Sequence, residues 1–346
     1  MENFPDIYEQ QRRNRRSTVV LITLFILFFC FIGYGFDLLY FRSDPFGLLG
    51  EPTYRFPFAT FAALIFGGVS SLYSLNGGAM AILQSANAYP ALNDAQQYRV
   101  VQNVTDEMAI AAGLPRPQLY IVPDSDPNAF ATGKDPDHSY IAVTEGLVGA
   151  LNREELQGVI AHEMSHIRNF DIRLMTVVAA LVGGILLISD GARTMLRFGG
   201  ARAGLKVAGR KSRSAGPVVV ILLAVWLLAV ILAPLITQLV ALAVSRKREY
   251  LADASGAELT RNPLALANAL TKLESADSPT ASIKKGTAHL CIVDPLGRLL
   301  NAKEGFVAEL FGTHPPISKR IMLLKAMAYQ GAHPPAPSAT PHPAGS

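Results

Sequence analysis

Apolar positions in this chain gather into long uninterrupted runs more than they alternate with polar ones. Ser17 to Phe36 is one such run, with no charge inside it. About 20 apolar residues are what a helix needs to cross roughly 30 Å of hydrocarbon, so 17–36 predicts a first transmembrane helix. A second is predicted at 56–76. A third run, 174–189, has 16 residues and is short for a crossing, whereas 217–244 has 28 uncharged residues, ample for a tilted span that Pro234 kinks. The last two either both cross or pack as a hairpin against the embedded part, and two crossings is the favoured expectation because a 28-residue apolar run has few other places to go.

Between the runs the periodicities shorten. Asn93 to Ala112 reads as a helix closed by Gly113 and Pro115. Gln118 to Val122 and Ser139 to Thr144 alternate as strands do, with Asn128 to Gly133 as a third. Asn152 followed by Glu155 predicts a capping box opening the next helix. Later helices are expected at 241–259, at 263–274 after the Asn262-Pro263 start signal, and at 316–325. The expected organisation is an N-terminal tail 1–16, an external loop 37–55, and a soluble domain split into 77–173 and 245–330. A basic loop 190–216 lies inside the split, and a Pro-rich disordered tail 331–346 ends the chain. No internal repeat is visible.

Composition agrees with a membrane protein. Half of the 346 residues are hydrophobic and 17% are charged, against about 25% in soluble domains. Mean hydropathy is +0.27. The net charge of +4 gives no reason to expect nucleic acid as a partner, and Cys30 and Cys291 are too few for a disulfide framework. Arg12, Arg13, Arg15 and Arg16 before the first run place the N-tail in the cytoplasm, so 77–173 returns there. The predicted location is therefore a membrane, crossed several times, with 77–173 on the cytoplasmic side. The loop from Arg193 to Arg213 sets seven basic residues against Asp190 and suits anionic lipid or an acidic partner. If both later runs cross, that loop lies outside, against the usual charge bias.

The chemistry lies in His162-Glu163-Met164-Ser165-His166. Histidines four apart share one helical face, so both imidazoles reach a single ion, and Glu163 stands where a carboxylate takes a proton from metal-bound water. Zinc suits such ligands in an open site, lowers the pKa of bound water to about 7 and polarises a carbonyl. A third ligand is expected on another helix. Glu249 and Asp253, again four apart, fit: Glu249 as ligand, Asp253 accepting the other N–H of a ligating histidine. Alternatively both carboxylates pair with Arg246, Lys247 and Arg248 on a solvated face; the histidine pair tips the balance to the metal.

His162 through Asp171, then Arg248-Glu249-Tyr250-Leu251-Ala252-Asp253-Ala254, resemble the signatures of HtpX-type membrane zinc proteases, bacterial relatives of the type I CAAX prenyl protease. Asn128-Ala129-Phe130-Ala131-Thr132-Gly133 and Thr313-His314-Pro315-Pro316 through Arg320-Ile321 match two further blocks. The resemblance implies one Zn2+ per chain on His162, His166 and Glu249, with Glu163 as general base, and an α+β zincin-like catalytic domain. The fold expected is thus a mainly α integral membrane protein, that domain with a small β-sheet being fused to up to four transmembrane helices. The implied activity is cleavage of misfolded or unassembled membrane proteins under stress, at the cytoplasmic face of the cell (inner) membrane, with the catalytic domain cytoplasmic.

Asn128 to Gly133 is then either an edge that accepts unfolded polypeptide by strand addition or a plain hairpin strand with Phe130 in the core; the family match favours the edge. His314 either donates to the oxyanion, fills the open metal position at rest, or caps the following helix. Arg320 either holds the same oxyanion or pairs with Glu249 or Asp253. Two further functions stay open: a maturation protease for a narrow peptide, and a scaffold in which zinc is structural.

Overall fold

The computed structural model describes residues 7–41, 43–47, 51–91, 96–182, 246–276, 282–283, 287–293 and 315–332. The third apolar run is described only to residue 182. The basic loop 190–216, the 217–244 run, His314 and residues 333–346 lie outside the described residues.

Helix α1, Ile7–Phe36, begins ten residues earlier than its apolar run. Glu, Gln and Arg are good helix formers, and Glu9 in the first turn suits the helix dipole, so the basic tail is itself helical. α2 spans Phe58–Asn76. Its first N–H groups are satisfied by buried Asp37, whose carboxylate accepts from Ala59 N at 2.9 Å and from Thr60 N and Oγ1 at 2.7 Å. α1 and α2 are the two described helices long and apolar enough to cross a membrane. Only 11% and 17% of their most apolar stretches are buried, the reverse of a helix in a soluble core. They approach closely at Gly33, where a Cβ would stand 2.6 Å from the Ala59 carbonyl oxygen.

Beyond the short α3, Gly78–Ser85, and a single turn at Gln96–Tyr98, α4 runs Arg99–Ala112 and ends at Gly113 in the left-handed region (φ 66°). The α-helix follows directly on that turn, and the expected start at Asn93 lies outside the described residues. A four-stranded sheet follows in the order β1-β2-β4-β3: β1 Tyr89–Pro90, β2 Gln118–Val122, β3 Ala129–Asp135, β4 His138–Thr144. β4 is parallel to β2 and antiparallel to β3, which leaves β3 as an edge strand of the sheet.

After α5, Glu145–Ala150, comes α6, Arg153–Arg168. Its capping box forms as the sequence predicts: Asn152 Oδ1 accepts from Glu155 N, and Glu155 Oε2 accepts from Asn152 N, both at 2.9 Å. α6 is the helix the domain is built around. Its Leu156, Val159, Ile160, Met164 and Ile167 join one core with α4, the sheet, α9 (Pro263–Glu274) and α10 (Ile317–Ala332). Residues 171–182 form α7, and α8 covers Arg246–Thr260.

Two glycines set the spacing around α6. A Cβ on Gly158 would meet Leu266 N of α9 at 2.8 Å, and one on Gly256 of α8 would meet His162 N at 3.0 Å. Both obstacles are backbone, so α6 has no direction in which to retreat. Gly256→Ala is therefore expected to force α8 off the histidine pair, costing about 1–3 kcal/mol of stability as overpacking does. Metal affinity should fall with it. Denaturant unfolding and chelator competition read the two effects, and wild-type values in both would show that the contact is loose.

Candidate metal centre

The four-residue spacing on α6 does what helical geometry requires. His162 and His166 lie one turn apart on one face, their ring centroids 4.9 Å apart and nearly perpendicular. α8 crosses that face and brings Glu249 to both. Oε2 lies 3.5 Å from His162 Nε2, and Oε1 lies 3.5 Å from His166 Nε2. One donor atom from each of the three falls within 4.8 Å of the others, and all three residues are buried.

The groups beneath fix these rings. Asp253, one turn along α8 from Glu249, presents Oδ1 3.0 Å from His162 Nδ1. Arg320 of α10, fully buried, donates from Nε to Asp253 Oδ2 and from Nη2 to Asp253 Oδ1, each at 2.7 Å. Its Nη1 donates to the Ile292 carbonyl at 2.7 Å and lies 3.5 Å from Glu249 Oε2. The two-pronged pairing of Arg320 with Asp253 is thus the geometry of the pairing alternative raised by the sequence. His166 has its own carboxylate: Asp171 Oδ2 lies 3.2 Å from Nδ1. Sequence spacing did not assign Asp171 a role, because a residue five positions on is not on the helical face of His166. It arrives there because α6 ends, and Phe170 takes a left-handed conformation (φ 58°) that folds the chain back.

The electrostatics follow from burial and pairing. Burial pulls His162 down, but Asp253 and Glu249 outweigh it and hold the imidazole at about 9. His166 is also raised, since Asp171 and Glu249 overcome its burial. Burial pushes Asp253 up, yet Arg320 keeps it below the ordinary carboxylate value. Glu163 goes the other way. Burial raises it, against the pull of both histidines and the Ala131 N–H. Neither Glu163 oxygen, nor His162 Nε2, meets hydrogen-bond geometry with any partner among the described residues. Buried polar atoms without partners are costly, so a pocket that gathers three of them beside Glu249 is built for something further. Two imidazoles and a carboxylate are the donor set of a divalent transition metal, which fits here.

The sheet edge beside the site is partly engaged. Ile292 N donates to the Ala129 carbonyl at 2.9 Å, Phe130 bridges to Cys291, and Asn128 Nδ2 donates to the Val293 carbonyl at 3.0 Å. Gly133 N donates to Thr176 Oγ1 at 3.0 Å, and Thr132 Oγ1 lies 2.8 Å from the same oxygen. Ala131, between them, is the residue that faces Glu163. Nothing in the alternating pattern of 128–133 revealed the 291–293 segment that pairs with it.

With this geometry in hand, comparison with known proteins is informative. A model of peptidase family M48 matches residues 95–328. A protein named "Protease HtpX homolog" from Thermoanaerobacter pseudethanolicus is 42% identical over 321 residues, covering 93% of this chain and 98% of that one. Another of that name, from Streptococcus uberis, is 38% identical over 326 residues, covering 93% and 100%. Among solved structures, S. mikatae Ste24p is similar with a TM-score of 0.44 at 19% identity, over 92% of this chain and 66% of that one, too low a likeness to assign a fold from.

Metal must displace the His162 proton. A histidine raised when folded stabilises the metal-free protein below its ordinary value of 6.5, and that contribution is lost as pH rises to about 9. Zn2+ affinity is accordingly expected to climb between pH 6.5 and 9, with proton release on binding. Titration calorimetry at pH 7 in two buffers of different ionisation enthalpy measures it, and binding with no proton released would contradict the assignment.

Proposed function

The chain belongs to peptidase family M48, and from that premise we propose that it is a membrane-anchored zinc endopeptidase that cuts unfolded or unassembled membrane proteins at the cytoplasmic face. The observation that carries the reading is buried Glu163, without a hydrogen-bond partner of proper geometry among the described residues, beside the His162–His166–Glu249 cluster. M48 membership and HtpX homologues at about 40% identity make the chain a metalloprotease. On this reading the ion is zinc, the domain is zincin-like, the chain crosses the membrane up to four times, and cleavage serves a stress response.

His162, His166 and Glu249 would hold the ion, which when bound supplies a Lewis acid that activates water and polarises the scissile carbonyl. The chain's residues do the rest. Glu163 takes the proton of the attacking water and returns it to the leaving amine, a role that its raised pKa suits. Asp253 and Asp171 keep the two imidazoles facing Glu249. Arg320 neutralises Asp253, and on this reading it acts through that carboxylate, which leaves His314 as the side chain that would donate to the oxyanion. The substrate strand runs antiparallel along β3 beside Ala131, where main-chain hydrogen bonds bind without demanding a sequence. Because Ala129 and Phe130 already pair with Cys291 and Ile292, and Thr132 and Gly133 with Thr176, the peptide must displace the 291–293 segment to reach the main chain beside Ala131.

Two largely exposed apolar helices tether the site to the bilayer, which raises the effective concentration of loops of membrane proteins. The basic stretch from Arg193 to Arg213 is proposed to touch anionic lipid or an acidic partner.

Glu163→Gln should retain zinc and lose cleavage of an unfolded test protein by at least about 100-fold, the scale of general acid–base catalysis. His162→Ala should lose both. Retained proteolysis in purified Glu163→Gln, assayed in detergent with added zinc, would overturn the assignment. Cleavage of one defined peptide, with denatured membrane proteins left intact, would indicate the narrower maturation enzyme.

A further inference from the structure

The basic tail is not only a topological signal. Its helical residues dock against the end of α6. Gln11 Nε2 donates to the Arg168 carbonyl at 2.8 Å and Asn14 Nδ2 to the Asn169 carbonyl at 2.8 Å, covering carbonyls that the end of a helix leaves without partners. Arg15 stacks its guanidinium 4.4 Å above the Phe170 ring, at the residue held in the left-handed conformation. Asn14 goes one step deeper. Its Nδ2 also donates to Asp171 Oδ1 at 2.7 Å, while the other oxygen of that carboxylate lies against His166 Nδ1. Asn14 and Asp171 are 2% and 1% exposed, so water does not compete for these bonds. Arg248 approaches the same carboxylate oxygen, but at 3.6 Å it contributes charge rather than direction.

We infer that Asn14 is a positioning residue of the metal centre: the first apolar helix, through its cytoplasmic extension, orients Asp171 and thereby His166. This rests on the reading of His162, His166 and Glu249 as a metal site. Both amide hydrogens of Asn14 are committed, one to the carbonyl and one to the carboxylate, so the Asp171 carboxylate has a single orientation. Without that donor it is free to turn, and the imidazole loses the partner that fixes its direction and basicity. Groups of this kind beneath a metal ligand are worth about 10–100-fold in metal affinity. The consequence is that the centre is complete only when the anchor helix is docked.

The test uses the full chain in detergent, in a Glu163→Gln background to stop self-cleavage, with Zn2+ affinity read by chelator competition and the Co2+ d–d spectrum as the second readout. Asn14→Ala should weaken Zn2+ at least about 10-fold and shift the spectrum. Asn14→Asp keeps the size but turns the donor into a repelling acceptor, so it should weaken Zn2+ at least as much. Gln11→Ala, which removes a cap without touching Asp171, should leave both readouts near those of the parent. In an Asp171→Ala background, Asn14→Ala should add no further loss. Parent-like affinity and spectrum in folded Asn14→Asp would overturn the inference while leaving the protease reading intact. Losses that add independently of Asp171 would also overturn it. Failure of the parent itself to bind Zn2+ would defeat both readings.

Discussion

The constraint on which this structure turns is the burial of charge. Glu163, Asp171, Glu249 and Asp253 are each at most 5% exposed, and they gather with buried His162 and His166 around one helix. Taking an ion out of water costs several kcal/mol even after relaxation, unless a partner is placed to meet it. The fold answers by convergence. Arg320 from α10 meets Asp253 with two prongs, Asn14 from α1 and Arg248 from α8 meet Asp171, and Glu249 stands 3.5 Å from each imidazole. Segments far apart in sequence are drawn to one helix because each carries part of this compensation.

Much of that helix was legible beforehand. The Asn152–Glu155 capping box, the one-turn spacing of the histidines and the one-turn spacing of Glu249 and Asp253 are local regularities, and local geometry reproduces them. The Asn262-Pro263 start and the Gly113 stop were readable for the same reason. What escaped was non-local or depended on an irregular backbone. Asp171 reaches His166 only through a left-handed Phe170, a conformation that sequence announces for glycine or asparagine but not for phenylalanine. Asn14 lies 157 positions from the carboxylate it orients, inside a run of arginines where charge is the dominant local signal. The role of Arg320 was open in sequence because an arginine serves an oxyanion or a carboxylate equally well; only its geometry displays the Asp253 pairing.

The same reasoning gives the strand edge a sharper shape. β3 stands at the border of the sheet, as strand addition needs, yet its first residues are paired with Cys291 and Ile292. Arg320 also binds the Ile292 carbonyl, so the segment on the edge and the carboxylate under His162 are held by one guanidinium. Metal ligand support, strand edge and anchor helix are therefore mechanically joined rather than separately appended to a scaffold.

On the proposed reading, side chains from two helices, His162 and His166 from α6 and Glu249 from α8, hold one ion. X-ray absorption at the zinc edge of the zinc-loaded Glu163→Gln protein tests it most directly, repeated on Glu249→Ala. One zinc per chain is expected, with two imidazole nitrogens and light oxygen donors in the parent, and weakened, altered coordination in the variant. A first shell that contains sulfur, or one that is unchanged when Glu249 is removed, would contradict it.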